Sequence, residues 1–145
     1  MANTFDLTRF TAAQQKDYDV AFHEIKSGRK RSHWMWYVFP QIRGLGSSAT
    51  SVFYGIKSLA EAEAYITDPI LGGRLIQMAN LLLESEITDP LKIFGDPDYL
   101  KLGSCMTLFA SVHQPDPLFQ RVLDKFFQGV KDQRTLSLLQ SSAFR

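Results

Sequence analysis

The stretch Asp68-Pro69-Ile70-Leu71-Gly72-Gly73-Arg74-Leu75-Ile76-Gln77-Met78-Ala79-Asn80-Leu81-Leu82 decides the fold. An Asp side chain accepts hydrogen bonds from the free N–H groups of a helix's first turn. Pro suits the first helical position, where an N–H has no intrahelical partner. The pair therefore starts a helix. Leu71, Leu75, Met78 and Leu82 recur at helical spacing and mark its buried face. The same dipeptide returns at Asp89-Pro90, Asp96-Pro97 and Asp116-Pro117, so four of the six prolines announce helices.

The intervening sequence agrees. Ser58-Leu59-Ala60-Glu61 has the spacing of a capping box. Tyr18, Ala21, Phe22 and Ile25 form a helical stripe closed by Gly28, a residue suited to the left-handed turn after a helix. Leu102, Cys105, Met106 and Phe109 form another stripe, and so do Phe119, Val122, Leu123 and Phe126, closed by Gly129. Asp132 caps a short last helix through Leu139. Only Trp34 to Phe39 is rich in strand formers, and no other run could pair with it. It is expected as a helix or irregular segment ending before Pro40. The expected fold is all-α: one compact domain over residues 1–145, built of six to eight short helices.

At 145 residues, with 45% apolar and 21% charged residues, the chain can bury a core without disulfides or a structural metal. The net charge of +1 supplies no field to draw it onto nucleic acid or anionic lipid. The lone Cys105 points to a reducing compartment. The N-terminus lacks the basic and apolar regions of a signal peptide, and no apolar run approaches the roughly 20 residues of a membrane span. A cytoplasmic protein is expected.

Chemistry concentrates in Arg29-Lys30-Arg31-Ser32-His33-Trp34-Met35-Trp36, followed by Arg43-Gly44-Leu45-Gly46. If Ser32 caps a helix, three cations crowd its positive end, which is unfavourable unless an anion binds there. Guanidinium groups suit planar, bidentate anions. His33 adds a donor that titrates near neutral pH. The glycine turn permits close backbone approach. The candidate anion site is therefore Arg29, Lys30, Arg31, Ser32, His33, Trp34, Arg43, Gly44 and Gly46. Trp34 and Trp36 could equally be core, with indole N–H groups that need partners. Gly44 to Ala49 matches a dinucleotide-binding glycine pattern, but the strand that should precede it is missing. Asp98 and Lys101 form an i, i+3 pair and are candidate acid and base. No metal site and no cofactor are implied. Cys105 lies on an apolar stripe and reads as core. Ser104 and Thr107 could face a cleft or bond within their own helix.

Several segments together resemble a known family: Gly28-Arg29-Lys30 with His33-Trp34-Met35-Trp36, Phe39 through Gly46, and Tyr54-Gly55-Ile56. The resemblance continues through Asp68 to Leu75, Ile93 to Asp98 with Lys101-Leu102, Met106 to Phe109, and Phe126-Phe127 with Gly129, Asp132 and Thr135-Leu136. The chain resembles the bacterial family catalogued as domain of unknown function 1810, over roughly residues 5–140. The resemblance implies an all-helical fold and no settled activity. Some members carry the label calpastatin, although a compact apolar domain is unlike a disordered protease inhibitor. Members usually have Ser where this chain has Cys105, which weakens Cys105 as a nucleophile.

Three functions fit the sequence. The first is binding of a small anionic or nucleotide-like ligand at the Arg/Trp cluster, by a binding protein or by an enzyme. The second is a protein-interaction module using the aromatic block. The third, weakest at this net charge, is a nucleic-acid binder. No membrane partner is expected.

Overall fold

The computed structural model describes residues 5–141. Nine helices form among them, one more than the upper expectation: α1 (Thr8–Lys26), α2 (Met35–Val38), α3 (Ala49–Tyr54), α4 (Leu59–Thr67), α5 (Pro69–Glu84), α6 (Pro90–Phe94), α7 (Asp98–Ala110), α8 (Pro117–Phe127) and α9 (Gln133–Gln140). No strand forms among the described residues. A single parallel bridge joins Ile42 to Ile56, with Ile56 N–H donating to Gln41 O and Arg43 N–H to Ile56 O, both at 2.8 Å.

Three Asp-Pro pairs work as read. Asp68 Oδ2 accepts from the N–H groups of Ile70 at 3.1 Å and Leu71 at 2.9 Å. Asp89 caps α6 through Leu91 N–H at 3.0 Å, and Asp116 caps α8 through Leu118 N–H at 2.9 Å. Asp96 differs. Here α7 starts next to Pro97, at Asp98, without a side-chain cap. Tyr99 N–H instead donates to Gly95 O at 2.8 Å, where Gly95 turns the chain at a φ of +76°. A backbone carbonyl takes the place of the aspartate.

The capping box at Ser58 is shifted by one residue. Ser58 Oγ accepts from Glu61 N–H at 3.1 Å, but Glu61 Oε1 reaches Lys57 N–H at 2.7 Å. Glu61 Oε2 pairs with Arg9 at 3.0 Å, and both side chains are buried. Arg9 also donates to Phe53 O and Gly55 O, which fixes the loop behind α3.

Helix α7 is the axis of the molecule. Its residues Leu102 through Phe109 are all buried, because α4, α6, α8 and α9 pack around it. A helical stretch enclosed on every side belongs inside a domain. The two hydroxyls in this stretch secure α9: Thr107 Oγ1 accepts from Asp132 N–H at 2.8 Å, and Ser104 Oγ donates to Asp132 Oδ2 at 3.2 Å. Cys105 is fully buried, and burial pushes its thiol pKa well up, as a structural cysteine requires. None of the helices among the described residues is long and apolar enough to cross a membrane.

Candidate functional site

The basic turn after α1 is built around a carboxylate of the protein itself. Gly28, at a φ of +86°, ends α1 in a left-handed turn. Gly28 N–H donates to Ile25 O and Arg29 N–H to Glu24 O, both at 3.0 Å, which is a Schellman closure. Lys30 N–H then donates to Ile93 O at 2.6 Å, tying the turn to α6. The next two N–H groups, of Arg31 and Ser32, donate to Glu24 Oε1 at 2.8 and 3.0 Å. Ser32 Oγ donates to Glu24 Oε2 at 2.6 Å, and the Trp34 indole N–H to Glu24 Oε1 at 2.9 Å. Partial burial pushes the Glu24 carboxyl upward. The donors from Ser32, Arg31 and Trp34 outweigh it and hold the pKa at about 2.

This arrangement corrects two local expectations. Ser32 does not start a helix; α2 begins at Met35, preceded by Trp34 and without a side-chain cap. The free N–H groups of a helix start at Ser32, which an anion was expected to meet, are therefore not assembled there, and the N–H groups of residues 28–32 are all engaged within the protein. Trp34 is core, 1% exposed, and its indole N–H finds its partner in Glu24.

Beside this turn lies a concave cleft of about 320 Å³, lined by Lys30, His33, Trp34, Met35, Trp36, Tyr37, Thr50, Asp98 and Lys101. Asp98 is its centre. Its Oδ2 lies 2.8 Å from Lys30 Nζ and its Oδ1 2.7 Å from Lys101 Nζ. Lys30 Nζ also donates to Ser32 O and sits 5.1 Å from the Trp34 ring centroid. Lys101 Nζ sits 4.7 Å from the centroid of half-buried Trp36. Both ammonium groups are thus held between a carboxylate and an aromatic face. Partial burial raises the Asp98 pKa, but its bonds to Lys101 and Lys30 outweigh burial and hold the pKa below the ordinary carboxylate value. Asp98 is a fixed anion, poorly suited to donating or taking up a proton near neutral pH.

The cleft therefore gathers Lys30, His33, Trp34, Asp98 and Lys101 from the residues singled out by sequence. Arg29, Arg31 and Arg43 are exposed and line none of it, nor does Ser32, whose polar groups serve Glu24 and Lys30. Gly44, at a φ of +111°, turns toward Leu138 of α9. Gly46 abuts Ser51 and the Trp36 ring, where a Cβ would come 3.0 Å from Ser51 Oγ. The glycine turn thus positions Trp36 from behind. Sequence reasoning missed Glu24, because a carboxylate seven residues before its partners gives no periodic signal. It also passed over Gln41, which is 5% exposed and whose Nε2 has no hydrogen-bond partner.

An all-helical domain organised around one buried helix, with a lysine-rich aromatic cleft at that helix's first turn, is the class that fold and site define. The chain belongs to the family described as Protein of unknown function (DUF1810), whose model matches residues 4–139. The crystal structure of the conserved hypothetical protein Rv1873 from Mycobacterium tuberculosis is similar, with a TM-score of 0.93 at 46% identity, covering 97% of this chain and 100% of that one. No curated protein matches the chain.

Proposed function

We propose that the protein binds a small anionic, nucleotide-like ligand in the cleft between α2 and the start of α7. One observation carries the reading: Lys30 and Lys101 converge on the single carboxylate of Asp98 beside the Trp34 and Trp36 rings. Two ammonium groups against one carboxylate leave a local excess of positive charge. Each ammonium has three N–H donors, and Lys101 spends one of them on Asp98. The half-buried Trp36 ring gives a planar group a surface to stack on. A concave site favours a small ligand over a flat protein partner, and the exposed arginines outside it are too few to hold a nucleic acid backbone. The lone thiol, buried in the core, supports placing the protein in the reducing cytoplasm.

The test is a melting curve with phosphate, sulfate and nucleotides against chloride at matched ionic strength, on wild type and on Lys101→Ala. A ligand at about 100 times its dissociation constant stabilises the fold by about 2.7 kcal/mol. For a domain of this size that raises Tm by roughly 5–11 °C. An anion-specific rise that Lys101→Ala abolishes is expected. No such rise in wild type, or one that Lys101→Ala leaves intact, overturns the proposal.

A further inference from the structure

The first turns of α7 serve two sites. Asp98 and Lys101 line the lysine cleft, while Tyr99, Leu100 and Gly103 line a separate cavity of about 580 Å³ that shares no lining residue with it. The end of α8 and the turn into α9 complete the walls. The body of the cavity is apolar, formed by Pro90, Leu100, Phe126, Phe127 and Val130. Gly103 keeps it open. A Cβ there would come 3.3 Å from the Phe127 ring, so the glycine lets that ring lie against α7. Leu100 is 54% and Val130 63% exposed, the latter more than any other large apolar side chain among the described residues. Two such side chains on one concave wall mark a binding surface, whereas single scattered ones do not.

The polar rim of this cavity holds unspent donors. Lys131 and Arg134 line it, and neither has an acidic partner among the described residues. Arg134 spends one of its N–H groups on Leu45 O, at 3.3 Å. The Lys131 ammonium and the Tyr99 hydroxyl have no hydrogen bond among the described residues. The two carboxylates in the wall are committed to helix starts. Asp89 Oδ1 caps α6, and Asp132 Oδ2 accepts from Ser104 Oγ, Thr135 N–H and the Thr135 hydroxyl.

We infer that this cavity is a second binding site, for an apolar monocarboxylate of the medium-chain fatty acid class. Its hydrocarbon body rests on Leu100, Phe127 and Val130, and its carboxylate meets Lys131 and Arg134 at the rim. A guanidinium fork suits a carboxylate, and the Tyr99 hydroxyl is a further donor beside the two cations. The volume lies inside the roughly 300–1,000 Å³ of small-molecule sites. The division of labour is that of such sites: apolar walls supply affinity, and a few polar groups at one end fix the orientation. Affinity for the chain grows with each methylene withdrawn from water, so a longer acid binds tighter until the cavity is full. The site is independent of anion binding in the lysine cleft.

The experiment compares decanoate with decanol and decylamine, which carry the same chain on a neutral and a cationic head. Dissociation constants are measured by calorimetry on the full chain, below micelle-forming concentrations. Wild type binds decanoate about tenfold tighter than decanol, the advantage of a charge-assisted contact, and decylamine more weakly than either. Lys131→Glu removes the advantage of decanoate over decanol. Val130→Glu, at an exposed position, weakens both. No binding of decanoate, or decanol or decylamine binding as tightly as decanoate, overturns the site. So does decanoate binding that both variants leave intact, or that Lys101→Ala abolishes, since the acid then sits elsewhere or in the lysine cleft. If a variant does not fold, nuclear Overhauser contacts in wild type decide. Contacts from the decanoate chain to the Val130 methyl groups and the Phe127 ring are expected, and contacts to other residues alone overturn the inference.

Discussion

Glu24 Oε1 accepts the indole N–H of Trp34 at 2.9 Å, across the turn that joins α1 to α2. This contact makes the basic turn a structural device. Its backbone donors and the largest fully buried side chain of the core converge on one carboxylate. The three cations at 29–31 are left to face solvent or the cleft.

A pH dependence follows from that carboxylate. The ordinary pKa of the group is 4.5 and the folded value about 2. A folded pKa below the unfolded one means the stabilisation is complete above pH 4.5 and is lost as the pH falls toward 2. Asp98, also held below its ordinary value, adds to the same acid limb. Glu24→Gln is expected to cost about 1.5–3 kcal/mol at neutral pH, the range for hydrogen bonds to a charged group. It should also flatten the fall in stability between pH 4.5 and 2. Urea unfolding at a series of pH values measures both. A variant as stable as wild type at pH 7, with an unchanged acid limb, would show that the carboxylate does not hold the turn.

Asp98→Asn separates the structural from the ligand-directed role of the lysine pair. Lys30 is largely buried, with 7% of its side chain exposed, so losing its counter-charge costs stability in the free protein. The Tm without ligand should fall by several degrees. The same change removes the carboxylate that competes with an incoming anion. The rise in Tm that phosphate or a nucleotide produces should therefore be larger than in wild type, and should shrink as salt is added. Melting curves at two salt concentrations read out both effects.

The helical frame was legible because its signals are local. Asp68, Asp89 and Asp116 cap the helices their prolines announce, since a cap needs only a side chain and an N–H two or three residues away. Asp96 misled for the same reason: the carbonyl of Gly95, set by the turn, does that work instead. The site was half legible. Lys30, His33 and Trp34 are neighbours in sequence, and Asp98 and Lys101 are i, i+3 on one helix. That these two groups meet depends on α7 docking beside the turn after α1, which no local pattern encodes. Ser104 and Thr107 read as indifferent hydroxyls because their partner Asp132 arrives from 28 residues away in the first case. Gln41 gave no signal, since an unpaired amide is visible only once everything around it is placed.

Cys105 should be slow to react. It is fully buried on α7, and burial alone raises its thiol pKa, so the thiolate that attacks electrophiles is scarce. Labelling of the native protein by a maleimide or a disulfide reagent should require opening of the fold, and should speed up sharply in denaturing urea. Rapid stoichiometric labelling of the native protein would contradict the packing around α7.

Gly72 and Gly73 are adjacent in α5 and should respond to alanine with opposite signs. A Cβ at Gly72 would lie 2.0 Å from the carbonyl oxygen of Ile66, an impossible approach to backbone. Ile66 belongs to the end of α4, and Asp68-Pro69 starts α5 directly after it. Gly72 is thus the residue that lets the two helices meet across so short a connection. Gly72→Ala must push α4 and α5 apart, and the overpacking should cost about 1–3 kcal/mol or more. At Gly73, in the same helix, a Cβ would meet nothing within 4 Å. There the methyl relieves the entropy penalty of glycine in a helix, and Gly73→Ala should stabilise by roughly 0.5–1 kcal/mol. Chemical denaturation of the two single variants, at unchanged m-value, measures the difference. Two variants that shift in the same direction would contradict the close approach of α4 and α5.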